Sequence, residues 1–443
     1  MLKRATKLSE IRLAFPQKPL AADEFEEFYV PVDSERDDFL SRVTELKRNL
    51  EEENVKILFA GHRGSGKSTE LNRLTRDIDL TTFIVKFSVF EELDVVDLNY
   101  IDLVMVIVEK LAEQSEKSDL IGKNSKYFEK IRNWLADVTN IKVEETGYML
   151  DGGAGVKADR GILSSLIGLI AEFKTAIKAS SSNKTEYRLK IEQKIGLLTE
   201  YCNLALNEIT LNLKKQGKKL LIIIEDIDKT ETTIAHDIFF KRSGILSELN
   251  VSIIFAVSIF TLTTPFLADI RDRFKMVNLP MLKTTDRNGE RFDSGHKIIT
   301  EIVKRRADLS LFAGGVLEKM IERSGGVLRD LFKMIEDAAN SANEKKFDKI
   351  EQKTSDGAFD RLKQVYHSMI TVEGKPETGI TTNDLYDKLK ELIKSKEKKP
   401  PLDKIIVLLL SCLAVLEYNG KQWFDVHPAV KSLLKEMGEL DDL

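Results

Sequence analysis

Apolar positions along this chain follow two rhythms. Residues 55–60, 83–89, 220–224, 251–258 and 277–280 are short runs in which almost every side chain is apolar, bounded by charged or turn-forming residues. Runs of that length, rich in Val, Ile, Leu and Phe, predict strands buried on both faces, as in a parallel sheet. Elsewhere the spacing lengthens to that of a helix. Residues 39–50, 100–111, 187–213 and 234–249 carry apolar side chains every third or fourth position, as do 297–307, 316–323 and 327–339 after the last strand run. Strand and helix patterns in alternation predict an α/β fold, and the helical patterns that follow predict a bundle beside it.

Two stretches break the rhythm. Residues 162–173 are apolar on more than one face of a helix, so they are either covered by their own domain or offered to another protein. A membrane surface is the weaker alternative, raised by the following Lys174, Lys178 and Lys184. The glycine-rich residues 147–161 lack a Gly-Lys-Ser ending and predict a hairpin or loop. Near the C-terminus, Thr381 to Asp384 caps one helix, Pro400-Pro401 precedes a helix expected over 402–417, and Asn419-Gly420 marks a turn before Trp423 to Pro428. A helix, a β-hairpin and a final helix in that order fit a winged helix-turn-helix module.

At 443 residues the chain exceeds one compact core, and two or three domains are expected. The boundaries read as an N-terminal arm over 1–27, a core over 28–285 with a helical insertion at about 112–218, a helical lid over 286–345, and a helical linker with the winged helix over 346–443. The net charge of -4 gives no global basic field to draw the chain onto nucleic acid, so any such contact is local; the lysines from Lys388 to Lys404 mark a solvated or anion-facing edge. Cys202 and Cys412 lie in helical patterns and read as buried thiols, and the five histidines have no zinc-ligand spacing. The basic N-terminus lacks the apolar core of an export signal, and the run 405–416 is about two-thirds of a bilayer span. No transmembrane segment and a cytoplasmic location are therefore expected.

The first run ends in Gly61-His62-Arg63-Gly64-Ser65-Gly66-Lys67-Ser68-Thr69, a match to G-x-x-x-x-G-K-[ST] set between a strand and a helix. Glycines at these positions permit left-handed turns that aim backbone N–H groups at an anion, and the helix dipole adds to them. Lys67 is expected to reach the β- and γ-phosphates, Ser68 to offer its hydroxyl to Mg²⁺, and Thr69 to support that coordination. The run 220–224 ends in Glu225-Asp226-Ile227-Asp228, where an open α/β sheet places its ligands. One carboxylate there can hold a metal shell and another can orient or deprotonate water. Upstream, Phe28 to Arg36 supplies either an apolar adenine slot or packing for the arm, with Ser34 as N-cap of the next helix.

With these landmarks the chain resembles an AAA+-type P-loop ATPase, near the branch shared by origin-recognition initiators and STAND signalling ATPases, over roughly residues 25 to 430. The resemblance implies a parallel sheet of the AAA+/ASCE type, a helical insertion, a helical lid and a C-terminal winged helix. It implies ATP and Mg²⁺ as cofactors. It places Tyr29, Val30 and Arg36 on the adenine side, Glu225 on Mg²⁺, Asp226 on water with Asp228 as a structural acid, and Glu225 where relatives usually have Asp. Ser258 matches the first sensor, and Arg329, in the Gly325-Gly326-Val327-Leu328-Arg329 stretch, the second. Arg271 and Arg273 correspond to an arginine finger that reaches a neighbouring subunit in a homo-oligomer. The function implied is an ATP-hydrolysing switch acting through oligomerisation or a separate effector or sensor protein, in bacterial signalling or anti-phage defence. Two alternatives stay open, a DNA-binding initiator or loader and an ATP-binding scaffold with little hydrolysis. Outside the P-loop region no His, Asp or Cys cluster has catalytic spacing.

Overall fold

The structure is a computed structural model that describes residues 2–32, 41–122, 124–139, 161–179, 181–262, 265–371, 379–418 and 423–440. The apolar runs form β1 (Lys56–Gly61), β2 (Thr82–Ser88), β3 (Lys219–Glu225), β4 (Ser252–Ser258) and β5 (Lys275–Leu279), all paired in parallel in the order β2-β3-β4-β1-β5. The chain therefore has a P-loop NTPase sheet in which β4 separates the P-loop strand from the acid-bearing strand. In register, Gly61 lies opposite Ser258 on one side and Leu279 on the other.

Alternate strand residues point to opposite faces, and both faces are covered, which is why the runs read as continuous rather than alternating. On one face Ile57, Phe59, Leu221, Ile223, Ile254 and Val277 pack against Val43 and Leu46 of α1 (Arg42–Asn49) and Leu71 and Leu74 of α2 (Lys67–Ile78). Helix α1 starts at Ser41, whose Oγ accepts from the Thr44 N–H at 3.3 Å. Ser34, expected as its cap, and Arg36 lie outside the described residues.

The other face carries the insertion, built from α3 (Tyr100–Lys117), α4 (Lys126–Thr139), α5 (Ile162–Ala179), α6 (Ser181–Gln193) and α7 (Ile195–Lys215). In α5, Leu163, Leu166, Leu169, Ile170 and Phe173 are fully buried in the same core as Ile222, Ile224 and Phe255. That helix is thus covered by its own domain. The long helix expected over 187–213 is split at Lys194, and 147–160 lie outside the described residues. The helix expected over 234–249 is also broken, into Thr232–His236, a wide π turn at Asp237–Lys241 and Ser243–Glu248. Phe239 on the wide turn packs edge-on against Phe255 and Phe274 at 5.3 and 6.0 Å.

The bundle after β5 comprises α8 (Asp293–Arg306), α9 (Val316–Arg323), α10 (Leu328–Glu344) and α11 (Gln352–Ile370), joined by Ile299, Val303, Met320, Ile335 and Tyr366 in one core. The C-terminal module is a winged helix: α12 (Thr382–Lys394), α13 (Lys404–Ser411), the antiparallel hairpin β6 (Val415–Tyr418) and β7 (Trp423–Val426), and α14 (Pro428–Glu436). Thr381 and Asp384 form the expected capping box of α12. The helix expected over 402–417 instead ends at Ser411. Leu413 turns the chain in a left-handed conformation, φ 62°, and Val415–Tyr418 enters the hairpin with all four side chains buried. A uniformly apolar run has no period by which to tell helix from strand, and cross-strand burial decides it here.

The winged helix docks on the free edge of the sheet. Met281 bridges Tyr418 in parallel, its N–H donating to the Glu417 carbonyl at 3.2 Å, and Asn278 of β5 donates to both Glu417 carboxylate oxygens at 3.1 Å. Among the described residues no helix is long and apolar enough to cross a membrane.

A candidate nucleotide site between core, arm and lid

The turn from β1 into α2 has the shape its glycines require. Gly64 and Gly66 hold φ of 82° and 97°, left-handed values costly to other residues, and a Cβ on Gly61 would stand 2.6 Å from the Leu279 carbonyl. Gly66 precedes the first turn of α2, whose unpaired N–H groups and dipole face a cavity of about 270 Å³. Residues Arg63 to Glu70 line it, with Asp226, Asp228 and Lys229 across from them. The buried Lys67 donates from Nζ to the carbonyls of Gly61 (2.8 Å) and His62 (3.0 Å) and pairs with Asp228 Oδ2 at 2.8 Å.

The other acids are held in the same manner. Asp226 adopts φ 67°, a left-handed conformation that costs an Asp about 1 kcal/mol, and is fixed by Ser88 Oγ, which donates to Oδ2 at 2.5 Å, and by Lys229 at 3.0 Å from Oδ1. Glu225 pairs through Oε2 with Lys86 of β2 at 2.7 Å, and Lys86 also donates to Asn72 Oδ1 on α2. The remaining Glu225 oxygen, Oε1, is buried without a hydrogen-bond partner among the described residues. Glu225 does not line the cavity, whereas Asp226 and Asp228 do. The glutamate thus stands behind the site, and Asp228, read from sequence as structural, stands on the P-loop lysine.

The far end of the cavity is apolar, lined by Pro16, Phe28, Val30, Val32, Leu282 and Phe332. α8 grips the arm there: Arg305 donates to the Tyr29 carbonyl at 2.8 Å and Arg306 to the Phe28 carbonyl at 3.3 Å, while a second bond holds Arg306 to Ile302 within its own helix at 3.1 Å. Arg306 lies 5.2 Å from the Phe332 ring, and burial pushes its guanidinium down to about 10, still charged at neutral pH. Tyr29 lines the cavity and turns its hydroxyl to Glu70 (3.1 Å) and Arg73 (2.7 Å) of α2. An apolar slot with a phosphate cradle at its other end fits a nucleotide. No three His, Cys, Asp or Glu side chains among the described residues converge as a metal site, so a cation here would lean on phosphate oxygens. Ser68, Asp226 and Asp228 are the residues in position to share it.

Lid and winged helix meet at the same place. Arg329 lines the cavity, its Cβ 3.4 Å from where a Cβ on Gly64 would lie. The turn before it is closed on both sides: a Cβ on Gly326 would lie 1.8 Å from the Leu282 carbonyl, and one on Gly325 2.8 Å from Pro428 Cδ. Tyr418 donates its hydroxyl to the Gly325 carbonyl at 2.7 Å, and Tyr366, stacked on His427 at 4.3 Å, donates to Asp330 at 2.7 Å. From the P-loop, His62 points away from the cavity and accepts the Glu417 N–H on Nε2 at 2.8 Å. Burial, reinforced by the Lys67 charge, holds His62 down to about 3.

The structure brings together Tyr29, Val30, Arg63 to Thr69, Asp226 and Arg329, and leaves Gly61 and His62 of the P-loop outside the cavity lining. Ser258 is buried at the end of β4 beside Gly61 but does not line the cavity. Arg273 donates to Ser243 Oγ at 2.7 Å, and Arg271 is exposed beside Asp272, so neither reaches this chain's own cavity. Sequence reasoning passed over Lys86, Ser88, Arg306 and Phe332. Lys86 carried a signal, a lone charge inside an apolar strand run; Arg306 carried none, being the last of three basic residues at a helix end.

No protein-family model matches the chain, and no curated protein does. Among solved structures it is similar to Cdc6p from Pyrobaculum aerophilum, at 10% identity over 86% of this chain and 88% of that one, with a TM-score of 0.35. It is similar to the Aeropyrum pernix ORC2 protein, solved as ADPNP–ADP complexes (12% identity, 95% and 99% covered, TM-score 0.35), and to ORC1 from the same organism, solved in complex with DNA (13%, 94% and 95%, 0.35).

Proposed function

We propose that this chain is an ATP-binding and ATP-hydrolysing switch of the AAA+ type, in which nucleotide bridges core, arm and lid. The observation that carries the reading is the convergence on one cavity of the P-loop, Asp226 and Asp228, the apolar slot between arm and α8, and Arg329 from the lid. In this reading the slot takes the adenine, and the N–H groups of the P-loop and α2 cradle the phosphates. Lys67 turns from Asp228 to the β- and γ-phosphates. Asp226, already fixed by Ser88 and Lys229, orients water for attack on the γ-phosphate, and Arg329 stabilises the charge that develops there. Bound Mg²⁺ would supply charge neutralisation on the phosphates, held by Ser68 with the nearby acids.

Nucleotide state would pass to the winged helix by the two routes that touch it, His62 to Glu417 and the Gly325 turn to Tyr418 and Pro428. Control of oligomerisation through Arg271 or Arg273, of a separate effector, and a place in bacterial defence or signalling rest on the sequence resemblance. Multiple-turnover phosphate release tests the enzymatic part: release by the wild type that falls at least about a hundredfold in Asp226→Asn supports it. A wild type that binds ATP but releases no phosphate would leave the scaffold reading in its place.

A DNA-binding initiator or loader is the second reading, favoured by the winged helix itself. Its lysine-rich edge is partly spent within the protein, with Lys398 and Lys431 on Asp425, Lys388 on Glu391 and Asp403, and Lys390 on Asp387 and Glu439. Duplex affinity that falls steeply with salt would support this reading, and no duplex binding at low salt would remove it.

A further inference from the structure

A second cavity, of about 360 Å³, lies in the insertion, between the segment that follows β2 and the helices α5 and α6. Four cations line it, Lys174 and Lys178 of α5 and Lys184 and Arg188 of α6, together with Asp94, Asp97 and Asp102. Two of the cations have anchored partners. Lys174 pairs with Glu92 at 2.9 Å and with Glu109 at 2.8 Å. Arg188 pairs with Asp102, whose side chain is 3% exposed and which also accepts the Asn99 N–H at 3.2 Å at the start of α3. Asp97 is different. Its carboxylate, 56% exposed, stands on Lys184 and, at 3.0 Å, on Arg188, two cations that are each only 14% exposed. It belongs to a single turn, Val95–Asp97, which Arg188 holds separately by donating to the Asp97 carbonyl at 2.7 Å. The carboxylate can therefore swing into water while the turn stays in place.

We propose that this cavity binds the phosphate monoester of a small polar molecule, whose phosphate takes the place of the Asp97 carboxylate. With Asp97 turned away, Lys184 and the exposed Lys178 face the cavity without an acid of their own, and Arg188 Nη1 is released while Nε and Nη2 stay on Asp102. A phosphate matches these donors better than a carboxylate does, since it brings nearly two negative charges and three acceptor oxygens. A carboxylate more than half exposed gives up little by returning to water. The exposed Asp94 is the acid that remains at the rim, and its Oδ1 is engaged by the Val96 N–H at 3.1 Å. The volume exceeds that of a phosphate group alone and leaves room for the body of the ester, while Leu93 and Ile177 supply the only apolar walls, which suits a polar one. One short segment joins the cavity to Asp226: Ser88 donates to Asp226, the helix Val89–Glu92 follows, Phe90 lies 4.4 Å from the Lys229 ammonium, and Glu92 pairs with Lys174. An effect of occupancy on hydrolysis by that route rests on the ATPase reading; binding at the cavity does not.

The test is calorimetric titration of the full-length protein with glycerol 3-phosphate at constant ionic strength, in a Lys67→Ala background that removes the P-loop ammonium from competition. Asp97→Asn is expected to tighten binding by about tenfold or more, because it removes the charge that occupies the recess, and Lys178→Met to weaken it to a similar extent. Both side chains are exposed, so both variants are expected to fold, and urea unfolding checks that they do. Dimethyl phosphate, which carries only the single charge of a phosphodiester, should bind at least about tenfold more weakly than the monoester. A diester that binds equally well would overturn the proposal, and inorganic phosphate that binds as tightly as the ester would overturn the monoester in favour of the free ion. Affinity unchanged in both Asp97→Asn and Lys178→Met, or no binding by Asp97→Asn at about 10 mM ligand, would also overturn it and leave Asp97 as a structural ion pair only.

Discussion

His62 shows what a single residue does here that its motif position hides. Within the P-loop it fills a position open to any residue, but its ring is buried and its Nε2 accepts the Glu417 N–H, so the ring must be neutral. Its folded value of about 3 lies below the ordinary 6.5. The unfolded chain therefore takes up a proton that the folded chain refuses as pH falls below 6.5, and the stability His62 contributes, complete above 6.5, is lost on descent toward 3 at about 1.4 kcal/mol per pH unit. In urea unfolding, the advantage of wild type over His62→Asn should shrink by about 1 kcal/mol between pH 7 and pH 5.5. A constant advantage would mean that the ring is not held neutral by its burial. Nothing in the sequence announces this contact, since the partners are separated by most of the chain. Lys67, Ser68 and Asp226 are legible because their chemistry depends on local spacing; the Lys67–Asp228 pair depends on the ends of β1 and β3 being placed on either side of β4.

At the scale of elements, the five strands and most helices could be read because their burial is periodic or complete. The reading failed where burial lost its period. The apolar run after Pro401 splits into α13 and β6, and the pattern before β4 is broken by a π turn that seats Phe239 against Phe255 and Phe274. The Gly325-Gly326 turn reads from sequence as the start of a lid helix, but its closure depends on Leu282 and Pro428, which lie far from it in the chain. Gly326→Ala puts a Cβ where the Leu282 carbonyl stands, at φ 84°, and is expected to destabilise the protein by at least about 2 kcal/mol in denaturant unfolding. A neutral outcome would show that lid and core are not closed as described. Tyr418→Phe removes one buried hydrogen bond to the same turn and should cost about 1 kcal/mol, with the loss detectable as faster amide exchange in Gly325 to Arg329.

At the scale of the molecule, the cavity is assembled from segments that no local pattern relates. Pro16 and Phe28 come from the arm, Lys67 and Asp226 from the core, and Phe332 and Arg329 from the lid. Arm and lid are joined by Arg305 and Arg306, and the winged helix is joined to both core and lid. If the exposed Arg271 serves a neighbouring subunit, particle mass should rise to a defined assembly with Mg²⁺ and a non-hydrolysable ATP analogue, and Arg271→Ala should abolish the rise. An unchanged mass with ADP, the analogue and no nucleotide would place the switch within one subunit or a fixed assembly.

The central claim is that this cavity holds ATP through Lys67, and equilibrium titration with ATP in Mg²⁺, comparing wild type with Lys67→Ala, tests it most directly. Saturable binding by the wild type is expected, with a loss of about a hundredfold or more in a variant whose circular dichroism shows it still folded. Equal affinity in a folded Lys67→Ala protein would contradict it.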